Sequence, residues 1–183
     1  EGHWAEKDIN DMASRLIISG VGNDLFRPER SITRAEFAAV MVRALGLRPE
    51  RYNNNFSDVK AGEWHSGYIS TASHYGLVSG YNDGTFRPEG KITRQEAMAI
   101  LARAMDITKL EEGLEKDSSA ILAAFSDNAH VSDWAKDTVS KCVKTGIVTG
   151  RNDGRIAPLG NITRAEAAIV VRRLLTKSGL INE

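Results

Sequence analysis

The sequence predicts a mainly all-α protein made of three helix–loop–helix repeats. Three observations predict it: landmark residues that recur in phase, apolar residues at helical spacing within each copy, and one helix-start signature written three times. Trp4, Trp64 and Trp134 each precede an Ile-Thr-Arg tripeptide by the same distance, at Ile32-Thr33-Arg34, Ile92-Thr93-Arg94 and Ile162-Thr163-Arg164. The copies are offset by 60 residues and then by 70. Between these landmarks the register holds without a gap, so that Gly20, Gly80 and Gly150 match, as do Pro28, Pro88 and Pro158 and Glu36, Glu96 and Glu166. Self-similarity at a fixed period marks a repeat architecture.

The first helix of each repeat is expected to begin near its tryptophan. Its buried stripe reads Ile9, Met12, Ala13 in repeat one, Ile69, Ala72, Ser73 in repeat two and Val139, Cys142, Val143 in repeat three, the i, i+3, i+4 spacing of one helix face. Gly76 and Gly146 should end two of these helices, since glycine accepts the left-handed conformation past a C-terminus. Repeat one has Leu16 at that place. It must end its helix differently or bear roughly 1 kcal/mol of strain.

An apolar pair follows in each copy, Ile17-Ile18, Leu77-Val78 and Ile147-Val148, either extended or buried turn. Then comes a loop. Asn82-Asp83-Gly84 and Asn152-Asp153-Gly154 are turn signals, because all three residue types tolerate positive φ, and Gly22-Asn23-Asp24 stands in the same place in repeat one.

The second helix has the clearest start. Thr33-Arg34-Ala35-Glu36 is a capping box, and Thr93-Arg94-Gln95-Glu96 and Thr163-Arg164-Ala165-Glu166 repeat it. The buried stripe after it is Phe37, Val40, Met41, Ala44, Leu45, with Ala97, Ile100, Leu101, Ala104, Met105 and Ala167, Val170, Val171, Leu174, Leu175 as equivalents. A single helix pair cannot bury its apolar face alone, so the three stripes imply three helices on a shared axis. The boundaries expected are 1–52 for repeat one, which lacks its start, 53–107 for repeat two and 125–183 for repeat three, together one compact unit. Residues 108–124 are an inserted amphipathic helix or linker containing Leu110, Leu114, Ile121 and Leu122, and Asn53-Asn54-Asn55 marks the other junction.

Composition limits the function classes. Of 183 residues, 42% are hydrophobic, enough for a packed core. Lys plus Arg and Asp plus Glu each number 24. That balance argues against bulk nucleic-acid binding. No apolar run approaches the roughly 18 residues of a membrane span. The chain opens Glu1-Gly2-His3-Trp4, inside a repeat and without a recognisable leader, which says nothing directly about export. A single cysteine, Cys142, rules out an internal disulfide and a multi-cysteine metal site; it aligns with Met12 and Ala72 and reads as a core filler. His3, His65, His74 and His130 show no metal spacing, and no Ser-His-Asp order, phosphate loop or glycosidase carboxylate pair stands out.

Phe56-Ser57-Asp58 and Phe125-Ser126-Asp127 at the repeat entries, tryptophan at the first helix, the Asn-Asp-Gly-x-Phe-x-Pro loop and Ile-Thr-Arg-Ala-Glu at the second helix resemble the S-layer homology family. The match covers almost the whole chain apart from 108–124. Gln95 replaces the motif alanine in repeat two, and Ile156-Ala157 replace Phe26-Arg27 and Phe86-Arg87 in repeat three, so the grooves are expected to be unequal. The resemblance implies a pseudo-threefold arrangement around a central three-helix bundle, with ligand grooves between repeats. It implies an extracellular, non-enzymatic module of the bacterial cell wall or S-layer. The implied partner is a secondary cell-wall polysaccharide bearing pyruvylated N-acetylmannosamine, with no cofactor, no metal, no nucleic acid, no membrane and a monomeric state. It assigns the ligand to Arg34, Arg94 and Arg164.

The chemistry agrees with that assignment. A pyruvyl ketal presents a carboxylate, which a guanidinium holds bidentately at any relevant pH, and the amide dipoles of a helix N-terminus also favour an anion. The residues alone leave open whether these arginines hold ligand or pair with nearby acids in solvent. Their replacement is expected to leave the fold intact, since they lie off the core stripes. Trp4, Trp64 and Trp134 either stack on a sugar or anchor packing. Gly20, Gly80 and Gly150 either supply turn geometry or admit a sugar close to backbone. Glu36, Glu96 and Glu166 read as caps. Arg43, Arg103 and Arg173, nine residues beyond the motif arginines and so on the opposite helix face, read as structural pairs. Two other functions remain: calcium binding, although Gly84 at the sixth position of an EF-hand loop would put Ser79 first and Gly90 twelfth, and protein–protein interaction through the same grooves.

Overall fold

The computed structural model describes residues 2–22, 25–52, 56–110 and 118–182. The turn residues Asn23-Asp24, the Asn53-Asn54-Asn55 junction and residues 111–117 of the inserted segment, with Leu114, lie outside the described residues. The chain divides into two units, Glu1–Ile92 with Thr163–Ile169, and Thr93–Ile162 with Val170–Glu183. The protein is mainly all-α and built of helix–loop–helix repeats. Among the described residues the β structure is three isolated antiparallel bridges, Ser31 with Thr163, Thr33 with Lys91 and Thr93 with Asn161.

In the first unit, α1 (Glu6–Ser14) and α3 (Ser66–His74) are the first helices of repeats one and two, and α2 (Arg34–Ala44) is the second helix of repeat one. Helix α3 packs on α2. Each first helix starts two residues after its tryptophan. Gly76 turns left-handed, with φ +69°, just beyond α3. Leu16 does the same beyond α1, with φ +59° and its side chain in solvent. Repeat one therefore ends its helix as the others do and carries the strain, about 1 kcal/mol. Ile17-Ile18 and Leu77-Val78 are buried turn residues, not strands.

In the second unit, α4 (Arg94–Thr108) is the second helix of repeat two, and α6 (Lys136–Lys144) the first helix of repeat three. A short helix α5 (Ser118–Ala123) closes the inserted segment and packs on α6, which packs on α4. Cys142 is fully buried on α6, its thiol 3.3 Å from the Met98 carbonyl. Helix α7 (Arg164–Lys177) begins in the first unit and ends in the second.

The second helices are buried more widely than a stripe. Arg34, Ala35 and every residue from Phe37 to Val42 are buried in α2, as are Arg94, Gln95, Ala97 to Ala102, Ala104 and Met105 in α4. Small residues permit this: Ala38 and Ala39, and Ala99 and Ala102, fill the faces that the large-residue pattern leaves unassigned. A helix apolar all round is an interior helix.

Candidate functional site

The capping boxes set the start of every second helix. Thr33 Oγ1 accepts from the Glu36 amide and Glu36 Oε2 accepts from the Thr33 amide, and the Thr93–Glu96 and Thr163–Glu166 pairs do the same. The first two helical amides, which a helix leaves without internal partners, donate to the loop of another repeat. Arg34 and Ala35 donate to the carbonyls of Gly90 and Pro88, at 2.8 and 3.0 Å. Arg94 and Gln95 donate to Gly160 and Pro158, at 2.8 and 3.0 Å. Arg164 and Ala165 donate to Arg30 and Pro28, each at 3.0 Å. The expected anion-binding amides are thus already occupied by backbone oxygens, and a ligand has to be met by side chains.

The motif arginines follow the same path. Arg34, Arg94 and Arg164 are only 7%, 5% and 6% exposed. Arg34 Nε donates to the Phe86 carbonyl at 2.8 Å and Nη2 reaches the Ser79 carbonyl at 3.4 Å. Arg94 Nε donates to the Ile156 carbonyl at 2.8 Å. Arg164 Nε donates to the Phe26 carbonyl at 2.9 Å, and its Nη2 donates to that of Ser19. Loop aromatics cover two of the guanidinium groups, Phe86 and Tyr81 over Arg34 and Phe26 over Arg164. These side chains are inter-repeat clamps as well as candidate ligand groups. The expectation that the fold ignores their removal has to be revised.

The loops they grip are themselves strained. Arg27, Arg87 and Ala157, each just before proline, have φ of +52°, +60° and +51°. The entry aspartates hold two of them. Asp58 accepts from the amides of Phe86 and Arg87, at 2.8 and 2.7 Å, and Asp127 from those of Ile156 and Ala157, at 2.9 and 2.8 Å.

The predicted glycines do not owe their identity to positive φ, which none of Gly20, Gly80 and Gly150 has. A Cβ on Gly80 or Gly150 would lie 2.4 Å from the ring of Phe56 or Phe125, so there glycine makes room for the entry phenylalanine. At Gly20 a Cβ would meet the Leu25 carbonyl oxygen at 3.0 Å. The tryptophans are not packing anchors: Trp4, Trp64 and Trp134 are 66%, 54% and 58% exposed.

In the first unit one member of each predicted class meets in a cleft of about 400 Å³. Arg164, Gly20 and Trp64 line it, from repeats three, one and two, together with Phe26, Arg30, Glu36 and Arg43. Arg43 stacks over the Tyr68 ring and donates to its hydroxyl at 3.0 Å. Its helix face is opposite to that of Arg34, as the spacing says, yet that face borders the cleft. Glu36 pairs with Arg30 and lies 3.6 Å from Arg164 Nη1. Burial pushes the Glu36 carboxyl up, but the Thr33 amide, the Arg30 hydrogen bond and the fields of Arg30 and Arg164 together hold it below the usual range. Burial lowers Arg164, opposed by Glu36; a guanidinium nonetheless keeps its proton. Arg30 Nε is buried and has no hydrogen-bond partner among the described residues, an unmade bond that costs about 1–3 kcal/mol.

Sequence reasoning missed Arg30 and set aside Arg43. The available signal for Arg30 was its alignment with Gly90 and Gly160, a charged residue where the other copies have none. No group of three His, Cys, Asp or Glu side chains comes together among the described residues, and none of the described helices is long and apolar enough to cross a membrane.

Comparison with known proteins identifies the family. The family model of the S-layer homology domain matches residues 1–38, 55–98 and 124–168. Among similar proteins, an amylopullulanase of Thermoanaerobacterium thermosulfurigenes is 41% identical over 98% of this chain and 9% of its own length. Exoglucanase XynX of Acetivibrio thermocellus is 39% identical over 96% of this chain and 16% of its own length. The surface-layer 125 kDa protein of Lysinibacillus sphaericus is 30% identical over 94% of this chain and 14% of its own length. The chain thus spans less than a fifth of the length of these relatives. It belongs to the S-layer homology domain family, modules of the bacterial cell wall and surface layer that anchor proteins to secondary cell-wall polymers.

Proposed function

We propose that this module fastens its parent protein to a secondary cell-wall polysaccharide by holding a pyruvylated N-acetylmannosamine in the first-unit cleft. The supporting observation is the meeting of Arg164, Gly20 and Trp64 there. In this reading Arg164 keeps its Nε and Nη2 on the loop carbonyls and turns Nη1 to the pyruvyl carboxylate. The exposed indole of Trp64 stacks on the apolar face of the sugar, and Gly20 lets the ring approach backbone. Arg34 with Gly80, and Arg94 with Gly150, carry the same residue types in the other copies, and Trp4 and Trp134 offer exposed indoles of the same kind. The three repeats are 1–52, 53–107 and 125–183, with 108–124 inserted, and the module acts as a monomer.

Calorimetric titration with a short pyruvylated fragment of wall glycan and its depyruvylated counterpart tests this. A fragment is needed because linked sites on a polymer would mask a single loss through avidity. The pyruvylated fragment should bind at least tenfold more tightly. Trp64→Ala, which touches no buried contact of the clamps, should weaken it by about the same factor. Equal binding of the two fragments would refute the pyruvyl reading, and capture of proteins in place of glycan would favour an interaction module.

A further inference from the structure

We infer that Arg30 makes the first-unit cleft selective for a glycan stretch carrying two acidic groups, one on Arg164 and one on Arg30; this rests on the cleft being the glycan site proposed above. The backbone role of residue 30 needs no side chain. Its carbonyl accepts from the Arg164 amide as Gly90 accepts from Arg34 and Gly160 from Arg94. Two repeats perform that role with glycine, so the guanidinium of repeat one is an addition to a completed joint. It lines the cleft, pairs with Glu36 through Nη2, and leaves its buried Nε–H without an acceptor.

Charge counting points the same way. Among the described residues, the ionisable side chains lining the cleft are three guanidinium groups, Arg30, Arg43 and Arg164, against the carboxylate of Glu36. Glu36 neutralises one cation, and a ligand with a single carboxylate neutralises a second. One positive charge is left over, in a cleft whose walls are partly apolar and where charge is poorly screened. A second anion on the neighbouring sugar, a uronate carboxylate or a phosphate, completes the balance through the terminal guanidinium nitrogens of Arg30, whose side chain is 31% exposed. The Arg30–Glu36 pair holds the added guanidinium at the cleft.

The experiment uses four synthetic disaccharides: neutral, pyruvylated, pyruvylated with an adjacent uronate, and pyruvylated with an adjacent phosphate. Wild-type protein should bind at least one of the two dianions about tenfold more tightly than the pyruvylated monoanion, and the favoured dianion identifies the second acid. Arg30→Gly should reduce that preference to within twofold. Arg30→Gln, which keeps the bulk and loses the charge, should do the same and serves if the glycine variant is unstable. Equal wild-type affinity for monoanion and dianions, or a preference that survives both substitutions, would overturn the role of Arg30 and leave the pyruvyl reading standing. Equal binding of neutral and pyruvylated probes would overturn both.

Discussion

Replacing Arg164 by alanine separates the two roles of a motif arginine. The guanidinium donates to the carbonyls of Phe26 and Ser19, residues 138 and 145 positions away in sequence. Hydrogen bonds from a charged donor contribute about 1.5–3 kcal/mol each, which sets an upper figure of roughly 3–6 kcal/mol for the pair. Removing a buried cation returns part of this, because burial already disfavours the charged form. Glu36 is not stranded, since Arg30 and the Thr33 amide remain. A net loss of about 2–4 kcal/mol follows. For a domain of this size each kcal/mol lowers Tm by about 2–4 °C, so the fall should be about 5–15 °C. Arg164→Lys should lose roughly half as much, because an ammonium cannot fork across two carbonyls. Differential scanning calorimetry of both variants without glycan is the assay. An alanine variant that melts within 2 °C of wild type would refute the clamp and return Arg164 to a purely ligand-directed role.

Other consequences are open to simpler measurements. Leu16→Gly should raise stability by about 1 kcal/mol in denaturant titration by relieving a left-handed residue whose side chain is in solvent; no gain would remove the strain argument. Asp58→Ala should cost about 2–4 kcal/mol, since one carboxylate holds both loop amides at Phe86 and Arg87. Asp83 hydrogen-bonds Thr85 and Arg87, which bring its pKa down to about 2. Its contribution is therefore complete above the ordinary aspartate range and fades as pH falls through about 2; carbon-detected NMR titration should show this, and Arg87→Ala should move the midpoint up. The three exposed indoles should be readily quenched by acrylamide, and saturating pyruvylated fragment should protect Trp64 in a variant retaining that tryptophan alone; unchanged quenching would exclude stacking.

The helices and their starts were legible because each rests on local rules. Threonine and glutamate three residues apart form the capping box whatever the tertiary context, and glycine after a first helix ends it. The burial of α2 and α4 on all sides was not legible. Alanine is compatible with either a surface or an interior, and only packing decides which. The motif arginines illustrate a second limit. Their position in the first helical turn follows from the sequence, but their partners are carbonyls, which carry no residue identity for a pattern to reveal. Gly80 and Gly150 suggested turns, whereas the reason for them lies in the rings of Phe56 and Phe125, some 24 residues earlier. The meeting of Arg164, Gly20 and Trp64 required three repeats to be folded before any of it could be seen.

The grip of Arg164 on the loop of repeat one has a consequence for how the chain is made. Residues 163–169 belong to the same unit as 1–92, so that unit waits for residues made well after most of it. At about 5–20 residues per second of synthesis, the carbonyls of Ser19 and Phe26 stay without their guanidinium for several seconds after they emerge. A ribosome that stopped short of Thr163 would release a product whose defect lies in the loop of repeat one, 138 to 145 residues before the missing arginine. The first unit therefore cannot close until the start of α7 has been made, which sets the order in which its parts can be completed.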